Sequence, residues 1–233
     1  MTHRVLVTRS QPGADATAAR LRDRGIEPVI EPLISIEAMP AKAPGFDALA
    51  FTSLNGVRRF REISAWRDGP VWCVGDRTAA EARDSGYQDV RSADGSVEDL
   101  TDMLLRELPP EAALLHAGNE ESRGDLAGEL QRSGRNASFL PIYRSVELET
   151  PPPALAQALT EPDAVACVLI HSPKGARVLA RLARELDSPA LKVATISLNA
   201  SNELAGLDVE IETAARPTED ELLNAMDRLL SGS

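Results

Sequence analysis

The feature that most constrains this chain is that it repeats itself. Val5-Leu6-Val7-Thr8-Arg9 is a short apolar run that opens into an Ala-rich helical stretch, Ala14 to Arg24; Gly25 stops the helix, and Ile26 to Ile36 reads as extended. Later, Ala113 to Gly118 opens into Asp125–Ser133, Gly134 stops that stretch, and Asn136 to Val146 is extended again. Gly25 and Gly134 stand 109 residues apart, as do Pro32 and Pro141. The match continues with a drift that falls only where loops are expected. Ser53 and Gly56 correspond to Ser172 and Gly175 at an offset of 119, while Val74-Gly75 corresponds to Ile196-Ser197 at 122. The run Ser96 to Leu100 matches Thr218 to Leu222 at the same 122. Offsets of this kind are the signature of a duplicated fold.

Each half reads as strand, helix, strand, strand, helix, strand, helix, strand, helix. The strands are near-continuous apolar runs, the pattern of a sheet covered by helices on both faces. This predicts two open parallel α/β sheets of five strands each. Helix starts carry their own signals: Ser172 precedes Pro173 at a first helical position, and Thr218 with Glu221 and Ser96 with Asp99 have capping-box spacing. The extended segments Pro32 to Glu37 and Pro141 to Val146 hold the same place in both repeats. Prolines follow each of them (Pro40 and Pro44; Pro151 to Pro153), and no helix is expected behind them. Such segments suit two interdomain crossings, a two-stranded hinge with one domain inserted into the other.

Composition narrows the function. The 233 residues fill one large domain or two small ones at roughly 150 residues per domain. A net charge of −11 leaves no basic surface for nucleic acid, and 3% aromatic residues give no base-stacking platform. No apolar run approaches the roughly 18 residues of a membrane span, and Met1 to Ser10 has no stretch long enough for a signal peptide. A cytoplasmic protein is therefore expected, and a monomer, because no long apolar edge strand or heptad stands out. Cys73 and Cys167 sit in apolar runs and read as buried strand thiols. His3, His116 and His171 share no ligand spacing with them or with each other, so no metal site is expected.

Ligands of open parallel sheets bind at the carboxyl ends of the strands, where helix N-termini present backbone N–H groups. The loops that fall there are Thr8-Arg9-Ser10, Thr52 to Gly56, Val74 to Thr78, Gly118 to Arg123, Ile170 to Gly175 and Ile196 to Ser201. They are rich in Ser, Thr, Asn and Gly, which suits anion binding by amides and hydroxyls; the same residues also cap helices. No nucleophile elbow, Walker loop or dinucleotide fingerprint is present. His116 and His171 read as packed or capping side chains, and Glu120-Glu121 as a solvated loop.

Taken together, the motifs resemble the uroporphyrinogen-III synthase family. The resemblance is carried by Val5-Leu6-Val7-Thr8-Arg9, Pro32-Leu33-Ile34, Phe51 to Val57, Val74 to Ala79, Pro141-Ile142-Tyr143, His171 to Ala176 and Pro217 to Leu222, in the family's order over nearly the whole chain. It implies two flavodoxin-like parallel-sheet domains joined by a two-strand linker, one domain inserted into the other. One domain would be 1–34 plus 148–233 and the other 39–140, with linker strands at 35–38 and 141–147. It implies cyclisation of the linear tetrapyrrole hydroxymethylbilane, held between the domains, with inversion of ring D and loss of water, and with no cofactor or metal.

Carried over residue by residue, the resemblance gives substrate-binding positions at Thr8, Arg9, Ser53, Asn55, Gly56, Gly75, Thr78, Gly118, Arg123, Ser172, Lys174, Gly175 and Ser197. Arg9, Arg77, Arg123 and Lys174 lie in the candidate loops, facing either the cleft or solvent, and in the first case would offset the repulsion between an acidic substrate and a chain of net charge −11. Tyr143 falls on the family's hinge tyrosine, with two readings: a proton donor to the leaving hydroxyl, or an aromatic packing the linker. One departure stands out. Ser197 replaces the glycine that Gly75 keeps, and Ala200 stands where Thr78 has its hydroxyl, which disfavours positive φ and close backbone approach at that loop. Two rival classes share the outline: a two-lobed cytoplasmic binding or sensor module for an anionic small molecule, and a nucleotide-dependent α/β transferase. The second lacks a recognisable phosphate loop.

Overall fold

The computed structural model describes all residues but 1, 2, 123, 162, 186–190, 232 and 233. In chain order the elements begin with β1 (Arg4–Val7), α1 (Gly13–Asp23), β2 (Glu27–Ile30), β3 (Ile34–Ala38), β4 (Ala48–Phe51), α2 (Leu54–Ile63) and β5 (Val71–Cys73). There follow α3 (Asp76–Asp84), β6 (Val90–Ser92), α4 (Val97–Glu107), β7 (Leu114–Asn119), α5 (Leu126–Arg132), β8 (Ala137–Glu147) and α6 (Pro153–Ala158). The last are β9 (Cys167–Ile170), α7 (Pro173–Glu185), β10 (Leu191–Thr195), α8 (Leu198–Asn202), β11 (Val209–Thr213) and α9 (Glu219–Ser231). They form two compact units: Met1–Ser35 with Val146–Ser233, and Ile36–Ser145.

The first unit holds a five-stranded parallel sheet in the order β11-β10-β9-β1-β2. Read from β2 and renumbered within the unit, that order is 2-1-3-4-5, the doubly wound flavodoxin-like arrangement, whose direction of winding switches between β1 and β9. Alternate residues of each strand enter opposite faces. Leu6, Val168, Ile170 and Val193 pack beneath α6, α7 and α8. Val5, Val7, Leu169 and Ala194 pack against α1 and α9. Both faces are thus apolar, which is why these strands read as unbroken apolar runs.

The second unit places β8-β7-β4-β5-β6 side by side in parallel, with β3 as a sixth strand outside β8. This is the same winding if β7 is counted first, so the switch lies between β7 and β4. Leu49, Phe51, Leu115 and Ala117 face α2 and α3, while Ala48, Ala50 and Leu114 face α4 and α5. The expected sheet has five strands; the sixth, β3, falls on the segment read as a linker strand at 35–38. Met39 N–H donates to Ile142 O and Leu148 N–H donates to Leu33 O, so numbers fall along β8 as they rise along β3, and the pair is antiparallel. Glu37 and Arg144 face each other across it at 2.8 Å.

Two other expectations are corrected. Ile26 to Ile36 is not one extended stretch: β2 ends at Ile30 and β3 starts at Ile34, whereas the matching region runs unbroken as β8. A helix, α6, also follows the second crossing, with Pro153 at its first position, where a missing N–H costs nothing. Its next two amides, Ala154 and Leu155, donate to the two carboxylate oxygens of Glu31 at 2.9 Å each.

The repeat is visible in the hydrogen bonds. Ile26 N–H donates to Leu21 O and Gly25 N–H to Arg22 O; 109 residues on, Arg135 N–H donates to Leu130 O and Gly134 N–H to Gln131 O. Gly25 and Gly134 sit at φ of +72° and +78°, the left-handed helix stop that glycine alone adopts cheaply. Likewise Ser53 Oγ accepts from Gly56 N–H, and Ser172 Oγ from Gly175 N–H, at 3.0 Å in each case.

Candidate active site

Parallel strands end on a common edge, so each unit gathers its candidate loops by strand order. In the first unit the neighbours β10, β9 and β1 bring together the loops of Ser197, of Ser172, Lys174 and Gly175, and of Thr8 and Arg9. In the second unit β7, β4 and β5 bring together the loops of Gly118, of Ser53, Asn55 and Gly56, and of Gly75 and Thr78. Arg123 lies outside the described residues.

Ser53 and Tyr143 meet in the second unit. Ser53 caps α2, and its Oγ lies 2.8 Å from the Tyr143 hydroxyl. Tyr143 reaches it because the β7–β8 ladder shifts register: Gly118 pairs with Pro141, but Asn119 pairs with Tyr143. The extra residue is a bulge, a device that re-aims side chains. Ile142 and Tyr143 are consecutive yet both bury in the cluster that holds Phe51 and Val57. Tyr143 is 4% exposed. Burial pushes its phenol above the ordinary value, with the Ser53 hydrogen bond pulling the other way, so it stays protonated at neutral pH.

The proton count of this pair is informative. Two hydroxyls carry two protons, and one is used between them. Ser53 Oγ also accepts the Gly56 amide. Whichever hydroxyl donates within the pair, the other retains an O–H to give elsewhere.

The remaining positions divide by what their side chains do. Gly56 is required sterically: a Cβ there would lie 2.9 Å from Ala117 O. Around Gly75 a Cβ would meet nothing within 4 Å, and its φ is −155°. Ser197, its counterpart, has φ −163° and caps α8 by accepting from Ala200 N–H. The expected conflict over positive φ therefore does not arise; the serine stands in extended backbone that any residue adopts. Ala200 and Thr78 are both buried, and so is Thr8, whose hydroxyl donates to Leu169 O at 2.7 Å and ties the ends of β1 and β9. Gly118 ends against His116 and Phe139, 3.3 and 3.5 Å from where a Cβ would stand.

Two histidine clusters flank the switch points, and neither was recognisable as a cluster from spacing. His116, 2% exposed, faces Thr52 Oγ1 through Nε2 at 3.2 Å and packs on Phe139. Burial pushes its imidazole down to about 4. His171 faces Glu219, at 3.3 Å from Oε2 and 3.4 Å from Oε1. Glu219 also accepts from Thr17 Oγ1 at 2.6 Å and pairs with Arg9 at 3.0 Å. Glu219 is the first residue of α9, and in the sequence it looks like part of a helix-start signal and nothing more. Cys73 and Cys167 are buried free thiols, each pushed up to about 12 by burial.

Among the described residues, no group of three or more His, Cys, Asp or Glu is placed to hold a metal ion, and no helix is long and apolar enough to cross a membrane. A pair of doubly wound α/β units, each with hydroxyl- and amide-lined strand ends at its switch point, defines the class to which the molecule belongs. The model of the uroporphyrinogen-III synthase family matches residues 15–224. The chain belongs to that family. Among solved structures, it is similar to uroporphyrinogen-III synthetase from Helicobacter pylori, with 16% identity and a TM-score of 0.58 over 98% of this chain and 100% of that one. It is also similar to a mutant uroporphyrinogen III synthase from Thermus thermophilus, at 16% identity and a TM-score of 0.54 over the full length of both. At that identity the likeness is one of fold. No curated protein matches the chain by sequence.

Proposed function

We propose that the chain closes hydroxymethylbilane to uroporphyrinogen III, acting as a lyase that eliminates water. The observation that carries this reading, beyond family membership, is the Ser53–Tyr143 pair with its one O–H to give. The ring A hydroxymethyl group leaves as water when its oxygen gains a proton, and the pyrrole nitrogen supplies the electrons, leaving an azafulvene. Ring D attacks that carbon through its own substituted position to form a spiro intermediate. Fragmentation and reclosure with ring D reversed, then loss of a proton, give the macrocycle. The pyrroles provide every electron pair, so the protein needs no nucleophile; it must bind, orient and assist departure of the hydroxyl.

The substrate's acetate and propionate groups fit the capped strand ends. Charge-assisted hydrogen bonds contribute roughly 1.5–3 kcal/mol each, and a handful offsets the chain's net charge of −11 over a screening length of about 8 Å. Ser53, Asn55, Gly56, Gly75 and Gly118 in one unit, and Arg9, Ser172, Lys174, Gly175 and Ser197 in the other, are the positions we assign to this binding. Thr8 and Thr78 are buried and support the loops from beneath. The reading includes a monomeric cytoplasmic enzyme. Turnover of freshly generated hydroxymethylbilane, with the porphyrin isomer identified after oxidation, tests it.

A further inference from the structure

Glu219 joins four elements of the first unit at the switch between β1 and β9. Thr17 comes from α1, Arg9 from the loop after β1, His171 from the end of β9, and Glu219 itself from the first turn of α9. Its carboxylate receives the Thr17 hydroxyl at 2.6 Å, Arg9 Nη1 at 3.0 Å and His171 Nε2 at 3.3 Å. Glu219 is 21% exposed and His171 8%. Burial disfavours the Glu219 charge, but hydrogen bonds from His171 and Thr17 and the Arg9 charge outweigh it and hold the carboxyl down at about 2. The group is ionised at any working pH.

The His171 imidazole has its Nδ1 buried without a hydrogen-bond partner among the described residues. Burial also lowers its affinity for a proton, although Glu219 and its hydrogen bond act the other way. With Nε2 beside two carboxylate oxygens, the partners assign the single proton to Nε2. Three groups from three other elements thus converge on one carboxylate. The place where they meet, the carboxyl edge at the switch point, is where doubly wound sheets bind ligands.

We propose that Glu219 is a positioning residue: it fixes the Arg9 guanidinium at the strand edge so that Arg9 meets a substrate carboxylate in a preset orientation. A guanidinium carries five N–H donors in a rigid fork, and orienting it through one end presets the directions of the others. His171 and Thr17 hold the carboxylate that does the orienting. The inference rests on the reading of Arg9 as a carboxylate-binding residue of a hydroxymethylbilane-cyclising enzyme.

The test is a double-mutant cycle on hydroxymethylbilane turnover with Glu219→Gln, Arg9→Ala and the double variant, plus Glu219→Asp as the conservative change. Lost uniform binding raises KM and leaves kcat unchanged. Glu219→Gln is expected to raise KM about 5- to 20-fold, less than the roughly 10- to 150-fold of an outright lost charge-assisted contact because Arg9 stays present but unoriented, with kcat within about twofold. In the Arg9→Ala background it is expected to change KM by less than about twofold, and Glu219→Asp to recover part of the loss. An unchanged KM in Glu219→Gln overturns the proposal, as does an equal rise in KM with or without Arg9, or a fall in kcat that tracks a fall in Tm. If wild-type protein leaves the type I isomer at the uncatalysed rate, the functional reading itself fails; an active wild type with no coupling in the cycle removes only the role of Glu219.

Discussion

The Tyr143 hydroxyl lies 2.8 Å from Ser53 Oγ, and a register shift between Gly118 and Asn119 is what brings the two together. The pair holds one proton more than it uses, so in the reaction proposed above either hydroxyl could deliver the proton that the leaving water requires.

That sharing sets the effect of removing one member. Tyr143→Phe leaves Ser53 with its own O–H, so the rate should fall by about 10- to 100-fold, at or below the roughly 10²-fold lower limit of what a general acid contributes. Ser53→Ala should cost a similar factor plus about 1 kcal/mol of stability from the lost helix cap. Because each single variant keeps the other's O–H, the double variant should be slower than wild type by more than the product of the two single factors. Steady-state kinetics on folded variants check this. A loss above about 10³ in Tyr143→Phe alone would mean that tyrosine is the essential donor and the shared account is wrong.

His116 makes stability depend on acid. Its imidazole titrates near 6.5 when unfolded and at about 4 in the native state. Between those values the unfolded chain holds a proton that the native chain does not, so stability falls as pH drops through that window and this group adds no further loss below it. At about 1.4 kcal/mol per pH unit over about 2.5 units the total is roughly 3.5 kcal/mol at most. Urea denaturation at several pH values between 7 and 4 should show a shallower decline in His116→Gln than in wild type. Parallel curves would contradict the assignment.

Gly56 and Gly75 look alike in the sequence, each at a strand end before a helix, but they should respond differently to a methyl group. Gly56→Ala places a Cβ 2.9 Å from Ala117 O, an overpacking that costs about 1–3 kcal/mol. Gly75→Ala meets nothing within 4 Å and, as a poorer helix cap than glycine, should lose at most about 1 kcal/mol. Chemical denaturation distinguishes them, and hydroxymethylbilane KM adds a second reading. A rise in KM for a stable Gly75→Ala marks close substrate approach there.

The sequence announced the parts of this fold whose physics is local. Gly25 and Gly134 stop helices through backbone freedom, and Ser53 and Ser172 start them through a hydroxyl three residues from its amide; both leave a mark at fixed spacing. The doubling of those marks led to the repeated α/β pattern. What it did not announce depends on distant partners. The helix α6 is capped by Glu31, 123 residues away, and nothing near Pro153 signals that carboxylate. The segment of β3 reads as a linker strand, but its place as the outer strand of a sheet depends on β8, more than 100 residues away. Tyr143 was legible as a candidate, but the bulge that turns it toward Ser53 was not. Glu219 sits 48 residues from His171 and 210 from Arg9, so no spacing rule links them.

Catalysis of closure with inversion is tested most directly by the isomer formed. Purified protein is incubated with freshly generated hydroxymethylbilane, the products are oxidised, and the porphyrins are separated by chromatography. A predominance of the type III isomer, formed faster than the protein-free reaction, is the predicted result. Type I at the protein-free rate would contradict the account, leaving a fold that binds without turning over.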